Sequence, residues 1–379
     1  MVYRTRPDKG WAWVVMMGSF GAHLNHGFFG YAIGILNFAL LERFQDDVGK
    51  TAWASGIFLG LFSMSGPVTG IVINRWSCRI SMMIGSVLMT IGFVLTAFVD
   101  KLDYVIITYG VISGFGAGLC YTASVVVVGF NFVRHRNLAS GFASSGGGVG
   151  TFALAPIIQM AKDLYGYSGL FLMCGGLAFH HFLFGMLCMP SYLELKAKGM
   201  TKSIECNERK EDLTHFQKIV KHFHVLRNIA FLCIVKSLIC FCLGCYLMYV
   251  HLPSLVVERG TSEEKVGYLL SVAGICNGLS RLLVGIASNT DNINELLLYS
   301  GSFSLLGLAG ILFPFYSSSF SGQTFFAALL GIYAGSCFAL FNTLTIRLVG
   351  IQDLATAFGI EMFGAGVGSL IGPPLAGKD

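Results

Sequence analysis

Apolar positions along this 379-residue chain come in long runs separated by short polar breaks, and the runs recur with almost even spacing. Eleven of them reach spanning length: 11 to 40, 52 to 73, 80 to 99, 104 to 130, 138 to 161, 169 to 189, 229 to 252, 266 to 287, 296 to 315, 323 to 346 and 356 to 376. A run of about 20 such residues crosses the hydrocarbon core as a helix, because a helix satisfies every backbone N–H and C=O within one segment. The pattern therefore predicts an all-α polytopic membrane protein. The first run outlasts a signal peptide and has no small-residue cleavage site, so it reads as a true span.

Composition agrees. The hydrophobic fraction is 54% and the charged fraction 12%, where a soluble domain carries about 25% charged residues. Nine of the eleven cysteines, Cys240, Cys242 and Cys245 among them, fall inside apolar runs and lack the CxxC pairs and nearby histidine that zinc needs. They read as small packing residues, and no metal or cofactor is expected. With the N-terminus placed in the cytoplasm, sixteen Lys and Arg fall on that side against seven on the other, which satisfies the positive-inside rule.

The longest polar stretch, Ser191 to Asn228, mixes both charge signs and reads as a solvated cytoplasmic tether. It separates two similar segments. Gly70-Ile71-Val72-Ile73-Asn74 recurs as Gly285-Ile286-Ala287-Ser288-Asn289, Leu138-Ala139-Ser140-Gly141-Phe142 as Leu354-Ala355-Thr356-Ala357-Phe358, and Gly148-Val149-Gly150-Thr151 as Gly366-Val367-Gly368-Ser369. The offsets are 215, 216 and 218 residues, in order along the chain. This predicts two pseudo-symmetric six-helix halves, the plan of major-facilitator transporters, with the substrate site between them near the midplane. The expected domains are 1 to 190, a linker at 191 to 228, and 229 to 379, the last with five spans and its twelfth helix missing.

The glycine clusters look like phosphate loops only superficially. Ser144 to Gly150 and Gly114 to Gly118 lack the Lys-Ser/Thr pair and the preceding strand that nucleotide binding requires. Gly110, Gly114 and Gly118 instead stand four apart, which makes a flat stripe for close helix contact. Only Lys236, Arg281 and Glu361 carry charge inside spans, where each charge costs about 2.5 to 3.5 kcal/mol on insertion scales. Lys236 is near enough to a span end to snorkel. Arg281 is about ten residues from either end, permanently protonated, and presents a planar fork of donors that suits a carboxylate. It is the first candidate for an anion-binding group, the alternative being an ion pair with Glu361. Glu361 could also pair with Arg347. In the first span His23, His26, Gly27, Gly30, Gly34 and Asn37 share one face, at 100° per residue, and should line the interior. His26 could carry a proton or simply bond between helices. His180 and His181 have no evident partner.

Asp8-Lys9-Gly10-Trp11-Ala12-Trp13 resembles the first signature of the monocarboxylate transporter family, with Lys9 where glycine is usual. Phe130 to Gly141, with Arg134, Arg136 and Gly141, resembles the second signature, entering the fifth span. Gly70 to Arg79, with Asn74 and Arg75, resembles the loop between spans two and three common across the major facilitator superfamily, and Gly372-Pro373-Pro374 is similar to the family's eleventh span.

The resemblance implies a plasma-membrane secondary transporter, often a symporter, not an enzyme, working by alternating access on small monocarboxylates or carboxylate-bearing zwitterions. It also implies a single-span immunoglobulin-like glycoprotein as a frequent partner, and no nucleic acid. In proton-coupled members a first-span lysine and an eighth-span aspartate take part in translocation. Those positions fall on Tyr31 and Asn277 here, while Arg281 keeps the arginine. Neither Tyr nor Asn readily carries a proton near neutral pH. The residues expected at the substrate are therefore Arg281, Asn277, Tyr31 and His26, in an atypical member of doubtful proton coupling. The other reading is a non-transporting or truncated membrane interaction protein of the same family.

Overall fold

The computed structural model describes residues 6 to 45, 48 to 198, 223 to 290 and 292 to 376. Each expected apolar run is helical there: α1 (Trp11–Phe44), α2 (Val48–Met64), α3 (Gly66–Arg75), α4 (Cys78–Thr96), α5 (Leu102–Val105), a π-helical turn (Ile106–Ser113), α6 (Gly114–Asn131), α7 (Arg136–Leu187), α8 (Tyr192–Ala197), α9 (Ile229–Glu258), α10 (Glu263–Ala287), α11 (Glu295–Tyr316), α12 (Phe320–Val349) and α13 (Leu354–Ala376). No strand occurs among the described residues.

Two spans are bent. Trp11–Gly30 and Ile33–Phe44 meet at 43°, and Gly49–Met64 and Gly66–Arg75 at 44°. The second bend has a local cause in Pro67, in the first turn of α3, which cannot continue the hydrogen-bond ladder of α2. Counting each bent pair once, ten segments among the described residues are long and apolar enough to cross a membrane. The expected span 138 to 161 is the first arm of α7, where the Ser144 to Gly150 run dilutes the apolar residues. In place of a loop between the fifth and sixth expected spans, Gly166 turns the chain at φ +62°, a conformation that suits glycine.

Polar caps mark where helices begin. Ser77, Ser191, Asn228, Asn294 and Ser319 each accept backbone N–H groups in the first turn of the helix that follows. Helices α1 to α8 pack mainly on one another, as do α9 to α13, and the two groups meet where α7 lies along α10 and where α2 and α3 lie along α13. Arg134, Arg136 and Arg347 gather at one end of this junction, called the basic end below. At the other end, ion pairs join Arg43 to Asp100 at 3.4 Å, Lys50 to Asp103 at 3.0 Å and Lys162 to Glu42 at 3.0 Å.

The tether expected from Ser191 onward does not start out solvated. Glu194 in α8 is fully buried, takes an ion pair from Lys198 at 2.8 Å, and accepts the Cys78 backbone N–H at 3.0 Å. Lys198 also donates to the Trp76 carbonyl and Ser191 to the Phe130 carbonyl. These bonds fasten the chain to the basic end of the first group. Within that stretch, 199 to 222 lie outside the described residues.

Candidate functional site

On α10, Gly274, Gly278, Arg281 and Gly285 follow helical spacing and share the face turned to α7. The approach there is close enough to exclude side chains. A Cβ on Gly141 would lie 2.5 Å from the Arg281 carbonyl oxygen and 2.6 Å from the Gly285 Cα. The arginine is thus the large residue in a stripe of glycines, held at the junction of the two groups. Its Nε donates to Asn277 Oδ1 at 2.8 Å, one turn back on the same helix, and Nη1 donates to the Ser144 carbonyl of α7 at 3.1 Å. The guanidinium carbon stands 4.6 Å from the Phe338 ring centre. Both of these acceptors are neutral groups that orient the fork.

The ion pair between Arg281 and Glu361, weighed as the alternative to anion binding, is not formed, and neither is the one between Glu361 and Arg347. Both Glu361 oxygens lie 2.8 Å from the Thr345 hydroxyl, whereas Arg347 pairs with Glu295 at 2.7 Å. Thr345 and Arg347 are two residues apart and so point about 200° apart around α12, at 3.6 residues per turn. A carboxyl that meets the first faces away from the second. Lys236 is exposed on α9.

Of the histidines, His23 lies beside the arginine and His26 one turn further from the basic end. Tyr121 touches both rings, at 5.4 Å from His23 and 4.7 Å from His26. His26 is also packed on Phe62 at 4.5 Å and faces His181 at 6.4 Å, inside the first group. The structure therefore brings Asn277 and Arg281 together and sets His26 behind Tyr121. The side chain of Tyr31 lies outside the described residues. His180 is exposed on the outer face and bonds the Gly176 carbonyl.

The two signature segments form one clamp. Asp8 accepts the backbone N–H groups of Val133 and Arg134 at 3.1 Å and of His135 at 2.9 Å, and its own N–H donates to the Asn131 carbonyl. Burial alone would raise its carboxyl pKa. The three N–H bonds outweigh that and hold the pKa below its ordinary value. Asp8 and Gly10 take positive φ, of 60° and 52°, while Lys9 does not, so lysine at the usual glycine position brings no left-handed strain. Trp11 donates to the Leu187 carbonyl, Trp13 meets Phe132 edge-on at 5.2 Å, and Arg136 donates to the Phe132 carbonyl.

The repeat is visible in the contacts. Gly70 packs on Ala355 and Thr356, and its counterpart Gly285 packs on Gly141 and Asn137. Asn74 donates to the Thr356 hydroxyl at 2.8 Å, and Asn137 to the Ser288 carbonyl at 2.6 Å. Asn137 also accepts from Thr343, and Asn342 reaches from α12 to the Val125 carbonyl at 2.9 Å. Among the described residues, the side-chain hydrogen bonds between groups run from Arg281 to the basic end. A cleft of about 640 Å³ opens there onto Arg134, Arg136, Asn137, Glu295 and Arg347. This cleft is at the basic end, away from the half-buried Arg281.

Asn342, Phe338 and Tyr121 were not singled out from the sequence, and Ser144 entered only as the first residue of a glycine-rich run. Asn342, a polar residue inside an apolar run, carried a usable signal. The aromatic residues carried none.

The family model for the Major Facilitator Superfamily matches residues 16 to 377. The chain is 28% identical over 388 residues to monocarboxylate transporter 12 of Xenopus laevis, covering 99% of this chain and 84% of that protein. It is 27% identical to monocarboxylate transporter 4 of Gallus gallus, covering 98% and 77%. In fold it is similar to the proton:xylose symporter XylE, with a TM-score of 0.72 at 15% identity, covering 97% of this chain and 89% of that one. The human organic anion transporter MFSD10 gives the same TM-score at 11% identity, covering 97% and 93%.

Proposed function

The chain belongs to the major facilitator superfamily and is a membrane transporter, and we propose that its cargo is a small monocarboxylate or a carboxylate-bearing zwitterion held by Arg281. The supporting observation is the placement of that guanidinium at the junction of the helix groups, oriented by Asn277 and the Ser144 carbonyl. A carboxylate matches its fork, and the partial burial of the arginine strengthens the pairing.

In this reading the halves 1 to 190 and 229 to 379 rock about the site, in the plasma membrane, with the basic end and the N-terminus cytoplasmic. The hydrogen bonds clustered at the basic end then correspond to a carrier closed on its cytoplasmic side. Tyr31 and Asn277 stand where proton-coupled relatives of the resembling family carry titratable groups. Transport is accordingly facilitative, and a proton gradient does not concentrate the substrate.

Uptake of a labelled panel of monocarboxylates and zwitterions into proteoliposomes tests the reading. The expected result is saturable uptake of at least one carboxylate, lost in Arg281→Ala, reaching equilibrium but no further when the outside is acidified. Equal uptake by Arg281→Ala would remove the anion-site assignment. Accumulation above equilibrium would remove the facilitative one.

A further inference from the structure

At the basic end the repeat allows one side of the junction to be compared with the other. By the 215-residue offset the turn from α3 to α4, with Arg75 and Arg79, corresponds to the turn from α10 to α11, where Thr290 and Asn294 stand instead. The segments facing those turns change in the opposite sense. By the 216-residue offset Arg134 and Arg136, which precede α7, correspond to Gly350 and Gln352, which precede α13. On the α3 side the guanidinium groups stay within their own helix group, Arg75 over the Trp76 ring at 5.4 Å and Arg79 against the Met189 sulfur at 3.6 Å. On the α10 side Arg134 and Arg136 line the cleft of about 640 Å³, with Arg347.

The charges in this cleft do not cancel. Glu295 is the acidic residue among its lining side chains, and both of its oxygens are engaged, one by Arg347 at 2.7 Å and the other by the Asn137 amide at 3.3 Å. Among the described residues Arg134 and Arg136 enter no ion pair. The acid that acts on Arg136 is Asp8, already taken up by three backbone N–H groups. The opposite wall adds donors. Asn294 gives its Oδ1 to the Leu296 and Leu297 N–H groups, which leaves its NH2 for a ligand, and Asn292 is exposed beside it. Asp291, in the same turn, lies outside the described residues. The volume falls within the range of about 300 to 1,000 Å³ usual for small-molecule sites.

We propose that this cleft binds a phosphate group, carried by a soluble phosphate or by a phosphomonoester lipid, and that the bound phosphate holds the basic end closed. A phosphate brings close to two negative charges and three acceptor oxygens, enough for more than one guanidinium fork and the amides opposite. A monocarboxylate brings one charge and two oxygens, and so satisfies fewer of these donors. Arg134 and Arg136 belong to the first helix group, Asn292, Asn294 and Arg347 to the second. Parting of the groups takes one wall away from the ligand, so binding and closure favour each other. The phosphate is a regulator on the cytoplasmic side of the carrier, remote from Arg281, and not a cargo.

This inference rests on the alternating-access reading, so its test separates the two. Spin labels at Lys196 and Gln352, both exposed at the basic end of opposite groups, report closure in the full chain reconstituted in phosphatidylcholine nanodiscs. Cys206, Cys233, Cys240 and Cys276 are first replaced by serine. Added pyrophosphate, or phosphatidic acid in place of part of the phosphatidylcholine, should raise the ratio of short to long distances about fivefold or more. Labelled pyrophosphate should bind saturably, without displacement by propionate at equal concentration. Arg134→Gln should weaken that binding about tenfold or more. Asn292→Glu, which sets a carboxylate on the opposite wall and keeps both arginines, should weaken it as well and reduce the response to either probe. A response to pyrophosphate alone supports the site with a soluble ligand, and one to phosphatidic acid alone supports it with a lipid headgroup. No response to either, a response untouched by both substitutions, or displacement by propionate overturns the site. Binding that leaves the distances unchanged overturns the lock. Carboxylate uptake that persists beside any of these failures leaves the transport reading standing, and a phosphate response in a chain that takes up no carboxylate overturns the cargo reading alone.

Discussion

Asn74 and Thr356, 282 residues apart, are joined by a 2.8 Å hydrogen bond from the side-chain amide to the hydroxyl. Each belongs to a segment that recurs in the other half of the chain. The counterparts, around Ser288 and Ser140, also meet, through Asn137 and Gly141. The same short motif pair thus closes the basic end twice, on the two sides of the junction.

Arg281 carries the cargo assignment. Arg281→Ala should reduce carboxylate uptake by well over tenfold, as loss of a desolvated charge-assisted pair costs about 2 to 5 kcal/mol. Arg281→Lys keeps the charge but not the fork, and should recover only part of the rate. Initial rates at matched protein incorporation decide between these outcomes.

Asp8 should matter for stability rather than for cargo. Removing its three N–H bonds in Asp8→Ala should cost about 1 to 2 kcal/mol, seen as a lower Tm in detergent with substrate affinity retained. Its carboxyl pKa is depressed by folding. The stabilisation is therefore complete above the ordinary value of 3.8 and is lost as pH falls through the lower folded value. Mild acidification to about pH 5 should leave the clamp intact. A stability loss between pH 7 and 5 that vanishes in Asp8→Asn would contradict this.

Gly141 tests the close approach of α7 and α10. Gly141→Val puts carbon against the Arg281 carbonyl and the Gly285 backbone, neither of which can swing away. Closure at the basic end should fail while membrane insertion survives. The expected signature is faster maleimide labelling of a cysteine at Asn137, now buried, together with loss of transport.

Glu361 and Thr345 form a pair that a neutral side chain can reproduce. The Thr345 hydroxyl is also 2.8 Å from the Phe341 carbonyl, so it can donate there while accepting from a protonated or amide group at 361. Glu361→Gln should change Tm little. Thr345→Val strands a buried polar group and should lower stability by about 1 to 3 kcal/mol. Thermal melts of the two variants, compared directly, check the ordering.

Much of the fold was legible because burial in lipid leaves a coarse signature. Long apolar runs, the repeat and the central arginine could all be read from residue types and spacing. What could not be read were relations that depend on where helices cross. Glu361 was within reach of Arg347 along the chain, yet the rotation of α12 gave it Thr345 and gave Arg347 to Glu295. Around Gly166 the polar residues Lys162, Asp163 and Ser168 read as a loop, whereas the chain there makes a kink between two helical arms. Asn342 was one amide in an apolar run, and only the packing of α12 on α6 made it a partner of Val125 and a neighbour of His23.

The Asp8 clamp also constrains the order of events during synthesis. The carboxylate and the amides it gathers are 125 to 127 residues apart. At about 5 to 20 residues per second, the first span leaves the ribosome many seconds before its anchor exists. During that interval its register in the bilayer is set by hydrophobic length and its tryptophans alone. The nascent chain acquires a fixed entry point only when the start of α7 arrives to lock it.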